Sequence, residues 1–411
     1  MTTAHTFPTA SPDLPGNDPG RAQAARPDKE GARLVKIRTS LRKRSTPTLF
    51  PDVPPTWDSG PGSLLPPGPA PERVGIARLA FSSPRAGAKR GAEYFLLPVR
   101  SILNHCDSER VPFSWTVNSY RGCEFGCQYC YARYTHEFMD LDGADFERKI
   151  FVKQNAGALA ARDLSIKKIQ GEHIAIGTAT DPYQPAEREY GVTRAILERM
   201  AERQGLSISI TTKSDQVMRD VDLLRRIAEH SNVSVNLSIT TLRTRLARLL
   251  EPRAPRPDLR MNAVRDLRRA GISAGVFAMP ILPGITDGRE DLDALARAAR
   301  DAGAQWFGAS VLFLMPAAQK QFFPFLDAKF PKLARRYREW FSRSNHVPET
   351  YRQEMMARVA ALRKKYGLGS RPVEMARPAE NSGQLSLGLE FKMESHRQEQ
   401  LPVLQASAQA V

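Results

Sequence analysis

Between residues 113 and 313 the chain repeats one pattern six times, a short run of β-branched and apolar residues followed by a longer amphipathic segment. The runs are FSWTVNSY (113–120), HIAIGTAT (173–180), LSISITTKS (206–214), VSVNLSIT (233–240), SAGVFAMPIL (273–282) and WFGASVLF (306–313). In VTRAILERMAERQG, Ile196, Met200 and Arg203 keep helical spacing and Gly205 supplies the stop; DLRMNAVRDLRRAGI ends the same way at Gly271. Strands separated by helices of this length pair in parallel through crossovers. Six such units predict an α/β fold, a partial (β/α)6 barrel of parallel strands. Chemistry in such folds collects at the C-terminal ends of the strands.

The rest of the chain is organised around that barrel, which is expected over residues 76–316. With 411 residues and 41% hydrophobic content, the chain can bury a large core. Residues 1–75 are rich in Pro, Gly, Ala and Arg without apolar periodicity and read as a disordered arm. Residues 317–369 read as a basic helical extension, with Lys329, Lys332, Arg335, Arg336, Arg338 and Arg343 interleaved with Tyr337, Trp340 and Phe341. A basic helix whose aromatics pack inward gives the same pattern as one that binds a polyanion. Residues 370–411 read as a disordered tail. No run of 18 apolar residues is present, so no membrane span is expected. The start MTTAHTFPTASPDLPG has neither a basic nor an apolar leader region, which predicts a cytoplasmic protein. A formal net charge of +16 favours a polyanionic partner such as DNA.

Three of the four cysteines fall within VNSYRGCEFGCQYCYAR (117–133), spaced Cys123-x3-Cys127-x2-Cys130. So few cysteines in so long a chain are no disulfide framework, and the clustering predicts a metal site. Structural zinc takes four ligands in separated pairs, and the seven histidines offer no matching spacing. A [4Fe–4S] cluster has four irons, so three thiolates leave one iron open to another ligand. Gly122 and Gly126 allow the loop to curl around such a cluster and turn backbone N–H groups toward its sulfurs.

Cys123, Cys127, Tyr129 and Cys130 fill the C-x3-C-x-aromatic-C loop of the radical S-adenosylmethionine (SAM) superfamily, and the chain resembles that family. NSYRGCEFGCQYCYAR, GTATDPYQPAE (177–187), TTKS (211–214), LEPRAPRPDLR (250–260) and PILPGITD (280–287) resemble more narrowly the branch containing spore photoproduct lyase. The resemblance implies an enzyme in which Cys123, Cys127 and Cys130 hold a [4Fe–4S] cluster. It further implies that SAM on the open iron is cleaved reductively to a 5′-deoxyadenosyl radical, with flavodoxin or ferredoxin as the kind of electron donor. It places Tyr129 near the adenine, and Thr178, Thr180 and Asp181 near the SAM amino group. Lys213 and Ser238 are candidates for the carboxylate or ribose, and Arg260 is a further candidate for the carboxylate. Polar residues at strand ends also serve as caps.

Spore photoproduct lyase returns a hydrogen atom to its product from a cysteine downstream of the cluster, and this chain has none after Cys130. Cys106 precedes the cluster and reads as a buried structural thiol, while Tyr183 and Tyr190 are candidates to relay a hydrogen, with nothing in the sequence selecting either. The substrate is therefore left open between nucleic acid, in repair or modification, and a protein or small molecule. A non-enzymatic DNA-associated iron–sulfur protein is the third reading, and it requires Cys106 as a fourth ligand. In the tail, GQLSLGLEF places Gln384, Leu385, Leu387 and Leu389 in a run resembling the peptide by which bacterial polymerases and repair proteins dock on the sliding clamp.

Overall fold

The computed structural model describes residues 73–89, 91–108, 111–165 and 169–370, all within one unit, Thr48–Val411. The expected arm, all but the last residues before 75, and the expected tail, with its clamp-like run, lie outside the described residues.

In chain order the first half holds α1 (Gly75–Ser82), β1 (Arg85–Lys89), β2 (Ala92–Leu97), β3 (Leu103–His105), β4 (Trp115–Val117), β5 (Tyr120–Arg121) and α2 (Tyr134–Glu137). Then come β6 (Lys149–Lys153), α3 (Ala156–Asp163), β7 (His173–Ile176), α4 (Glu187–Tyr190), α5 (Val192–Met200), β8 (Ser207–Thr212) and α6 (Val221–Ala228). The second half holds β9 (Asn232–Ser238), α7 (Thr244–Leu250), α8 (Pro257–Arg269), β10 (Ser273–Ile281), α9 (Arg289–Asp301), β11 (Phe307–Val311), α10 (Pro316–Lys329), α11 (Pro331–Phe341) and α12 (Glu349–Tyr366).

The principal sheet has the order β11-β10-β9-β8-β7-β4-β3. Its six strands from β4 to β11 run parallel, and β3 is added antiparallel at the β4 edge. The six expected strands are these six, giving the partial α/β barrel. Their burial follows from sequence: β9 is buried along almost its whole length, as a strand covered on both faces must be, whereas β8 alternates. The helices bury one stripe each. Ile196, Leu197 and Met200 of α5 and Leu223, Leu224 and Ile227 of α6 pack with Ile208, Ile210 and Val235 in one core. Burying each such side chain contributes about 1.5–3 kcal/mol.

A second sheet, β1-β2-β6-β5, stands beside the first and has no counterpart in the sequence reading. β2 and β6 pair in parallel, while β5 lies antiparallel on β6 with Arg121 opposite Phe151. Because β5 runs directly into Gly122 and Cys123, this small sheet fixes where the cysteine loop starts.

The C-terminal helices are part of the cores. Met355, Val359 and Leu362 of α12 join the barrel core. Phe322, Leu326, Tyr337 and Phe341 of α10 and α11 pack in one cluster with Cys123, Phe125, Cys127 and Tyr129. The aromatics of the basic segment therefore face inward, while Lys329, Lys332, Arg335, Arg336 and Arg343 are exposed. Among the described residues, no helix is long and apolar enough to cross a membrane.

Candidate functional site

The cysteine loop leaves the C-terminal end of β4, and the neighbouring strands β7, β8 and β9 end in the other motifs. Asn118 ties the first two together: its amide oxygen accepts from Ala179 N at 2.8 Å and its amide nitrogen donates to Thr178 Oγ1 at 3.0 Å. Thr180 Oγ1 donates to Gly122 O at 2.6 Å, and Gln184 Nε2 donates to the same oxygen at 3.0 Å. Gln184 Oε1 in turn accepts from Glu124 N, and Glu124 accepts from Ala186 N and from the Tyr94 hydroxyl. The loop is held on its other side by Gln128 N to Leu250 O and Arg253 N to Phe125 O. Arg133, fully buried, donates to Cys127 O and Gly143 O and pairs with Glu147.

Both loop glycines are required by their surroundings. Gly122 has φ +84°, and a Cβ there would stand 2.7 Å from Lys149 O and 2.9 Å from Phe146 O. Gly126 has φ +63°, and a Cβ would meet the Arg253 guanidinium at 2.9 Å. Side chains are thus excluded from the bend that brings the cysteines together.

Cys123 and Cys127 are buried, Cys130 is half-buried, and all three are free thiols. Burial pushes each thiol above its ordinary range; Asp181 and Cys127 add to this at Cys123, while Arg133 opposes it at Cys130. At Cys127, Lys213 and Arg260 pull downward and Glu251 upward. These thiols therefore need an added positive centre to lose their protons.

The polar residues singled out in the sequence form one connected set. Asp181 accepts from Tyr183 N, Thr212 Oγ1 and Lys213 N at 2.9, 2.6 and 2.7 Å, and burial raises its carboxyl. These three contacts join the ends of β7 and β8, so it is at least a strand-end cap. The Lys213 ammonium stands 5.9 Å from the Tyr129 ring centre and 3.9 Å from Glu251 Oε1. Arg260 is buried and donates to Ser238 O at 3.0 Å and Pro255 O at 2.8 Å, with Nη1 2.6 Å from Glu251 Oε2. Tyr129 donates its hydroxyl to Glu251, and Thr240 Oγ1 donates to the same carboxylate at 3.1 Å. The set closes with Tyr131, whose hydroxyl donates to Thr178 O.

Asn118, Glu124, Arg133, Gln184 and Glu251 are thus members of the site that the sequence reading passed over. Each lies inside or beside a motif already quoted, but only contact reveals what it faces. Cys106 is buried and its backbone N–H bonds Ser114 O, apart from the loop hydrogen bonds described above. Tyr183 is fully buried in the barrel core and Tyr190 packs on Tyr94 at 5.4 Å.

The radical SAM superfamily profile matches residues 117–298. An uncharacterized protein of Mycobacterium tuberculosis is 35% identical over 302 residues, covering 73% of this chain and 87% of the relative. An uncharacterized protein of Methanocaldococcus jannaschii is 33% identical over 173 residues, 42% of this chain and 62% of the relative. Among solved structures, spore photoproduct lyase complexed with dinucleoside spore photoproduct superimposes with TM-score 0.51 at 18% identity, covering 67% of this chain and 80% of that one. A variant of the same enzyme with bound AdoMet and dinucleoside spore photoproduct gives 0.51 at 17% identity, covering 74% and 86%. At these identities the likeness is one of fold.

Radical SAM enzymes use a [4Fe–4S] cluster and SAM and need a reductant. The residues present fit such a group: two buried thiols and one half-buried thiol share a glycine-shaped loop, and their proton affinity is raised in a way that a cationic cluster would reverse. Among the described residues, no three His, Cys, Asp or Glu side chains converge on a single metal ion, whereas a four-iron cluster takes its thiolates on separate irons. Motif, parallel sheet and the cysteine loop at its C-terminal edge agree with the sequence matches, and the chain belongs to the radical SAM superfamily.

Proposed function

We propose that Cys123, Cys127 and Cys130 ligate three irons of a [4Fe–4S] cluster and leave the fourth for SAM. When bound, the pair supplies one-electron reductive cleavage of SAM and hydrogen abstraction from a substrate. The observation that carries the reading is the triad of free thiols, two buried and one half-buried, in one glycine-shaped loop at the C-terminal edge of six parallel strands.

The chain's own residues divide the remaining work. Tyr129 offers an aromatic face beside the loop. Thr178 and Thr180, held by Asn118 and Gly122, present the end of β7 to the SAM amino group. Asp181 positions the backbone at Lys213, and Lys213 offers its ammonium, 3.9 Å from Glu251 Oε1, to the SAM carboxylate. Ser238 lies at the end of β9 on the ribose side. Arg260 contributes positive charge, its hydrogen bonds being committed to Ser238 and Pro255. The hydrophobic packing from α10 and α11 shields the loop from water.

For the substrate we favour nucleic acid, supported by the formal charge of +16 and by the exposed arginines and lysines of α11. A cytoplasmic setting and a flavodoxin- or ferredoxin-type donor suit the free thiols and the reductive chemistry.

Anaerobic reconstitution should give one [4Fe–4S] cluster per chain, and the dithionite-reduced protein should convert SAM to 5′-deoxyadenosine. Alanine at Cys123, Cys127 or Cys130 should abolish both, and Cys106→Ala should leave both intact. Loss of the cluster in Cys106→Ala would refute the open-iron reading and favour a structural cluster. Binding to single-stranded and duplex DNA should weaken steeply with salt, and salt-independent or absent binding removes nucleic acid as substrate.

A further inference from the structure

Glu251 is fully enclosed, yet four groups converge on its carboxylate: the Tyr129 hydroxyl, Thr240 Oγ1 at 3.1 Å, Arg260 Nη1 at 2.6 Å and, more distantly, Lys213 Nζ at 3.9 Å. The two cations are not equivalent. Arg260 is 1% exposed and fixed by two further carbonyls, so its guanidinium has nowhere else to go. Lys213 keeps some solvent exposure and reaches Glu251 only beyond hydrogen-bond distance. The neighbouring Asp181 carboxylate is taken up by Tyr183, Thr212 and the Lys213 backbone, leaving the ammonium itself without a hydrogen-bonded acceptor among the described residues. A lysine with three donors, loosely paired beside a carboxylate whose Oε1 accepts both hydroxyls and whose Oε2 meets Arg260 as an ion pair, is a cation that the protein restrains without satisfying.

We propose that Glu251 is a positioning residue that sets the affinity of the cofactor pocket, by competing with an incoming carboxylate for Lys213 while anchoring Tyr129 and Arg260. The inference rests on the functional reading above, in which the incoming group is the SAM carboxylate. Through Tyr129 the same carboxylate reaches the cysteine loop, because Tyr129 stands between Cys127 and Cys130. One side chain therefore joins the position of the loop aromatic to the freedom of the lysine. Removing its charge while keeping its shape frees Lys213 of its competing carboxylate, while Asp181 stays committed to Tyr183, Thr212 and the Lys213 backbone.

That consequence separates competition from mere support. A purely structural Glu251 predicts that every substitution weakens SAM binding. A competing Glu251 predicts that Glu251→Gln binds SAM more tightly than wild type, by about fivefold, the strength of a partly exposed ion pair. The measurement is equilibrium dialysis of radiolabelled SAM against cluster-loaded protein under anaerobic, non-reducing conditions, where no turnover occurs. Lys213→Met should weaken binding, and adding Glu251→Gln to it should give no tightening, since the contested cation is gone. If Glu251→Gln fails to assemble its cluster, Glu251→Gln/Arg260→Gln removes the buried pair together and should still bind more tightly than Arg260→Gln alone. Unchanged or weaker binding in the charge-neutral variants overturns the competition. Failure of the wild type to bind SAM overturns the functional reading instead.

Discussion

Charge is buried in two places on either side of the cysteine loop, and the two are built oppositely. Beside Tyr129, Glu251 and Arg260 are enclosed as a pair, with the guanidinium Nε donating to Pro255 O and Nη1 to Ser238 O. Burial pushes the Glu251 carboxyl up, but Arg260 and Lys213 more than offset it and hold the group ionised. On the small sheet, Arg121 and Lys153 point to one face, two residues from being neighbours across β5 and β6, and among the described residues neither has an acidic partner. Burial, with Arg121 adding to it, pushes Lys153 down to about 7. His136, buried next to this sheet, is pushed down to about 4, with Nε2 donating to Lys149 O at 3.0 Å. The difference teaches what each arrangement gives. Paired charge fixes geometry at all working pH values, whereas unpaired charge makes the fold around the loop depend on pH.

The comparison is most open to attack at the paired site. Glu251→Ala strands Arg260 in the interior and should cost about 3–5 kcal/mol in urea unfolding of the apo chain. A cost below about 1 kcal/mol would mean that the pair is not buried as described.

Next in size is the acid response of the small sheet. His136 binds its proton near 6.5 when unfolded but only near 4 when folded, so stability should fall as pH drops from 6.5 to 4 and be level above that window. The full loss from this residue is about 3 kcal/mol, and His136→Gln should remove that part of the slope. A slope that persists unchanged assigns the acid response to other groups.

A third effect should carry the opposite sign. Lys153 is deprotonated more easily folded than unfolded, so its penalty is full below pH 7 and relieved as pH rises from 7 toward 10.5. Lys153→Met should therefore stabilise the chain at pH 7, by about 1–2 kcal/mol, and flatten this alkaline rise. Destabilisation would show that the ammonium has a partner after all.

How much of this was legible in the sequence depends on the distance over which each feature is decided. All six parallel strands are legible in local runs, whether buried along nearly the whole length as in β9 or alternating as in β8. Their ends were overextended where a polar residue turns away: FSWTVNSY stops at Val117 because Asn118 leaves the sheet to grip residues 178–180, and HIAIGTAT stops at Ile176 ahead of Gly177. The cysteines and both loop glycines were legible from spacing alone. The small sheet was not, since β2 pairs with a strand more than fifty residues away and nothing local marks the partnership. Glu251 was invisible for a related reason. In LEPRAPRP it reads as one more charge among arginines, and only its enclosure by Tyr129, Thr240 and Arg260 distinguishes it.

The edge of the principal sheet bears on how the protein is made. β11 is the last strand, and its open side is met by the residues that follow α12: Phe307 N donates to Gly369 O and Gly369 N donates to Gln305 O, both at 2.9 Å. The segment that closes the sheet lies about sixty residues after the strand it covers. On a ribosome, β4 to β11 emerge in order and can dock one after another, yet that last flank stays bare until residue 369 has cleared the exit tunnel. A nascent chain halted after α11 would display an unpaired parallel edge and would still lack Val347, which packs in the cluster around the cysteine loop.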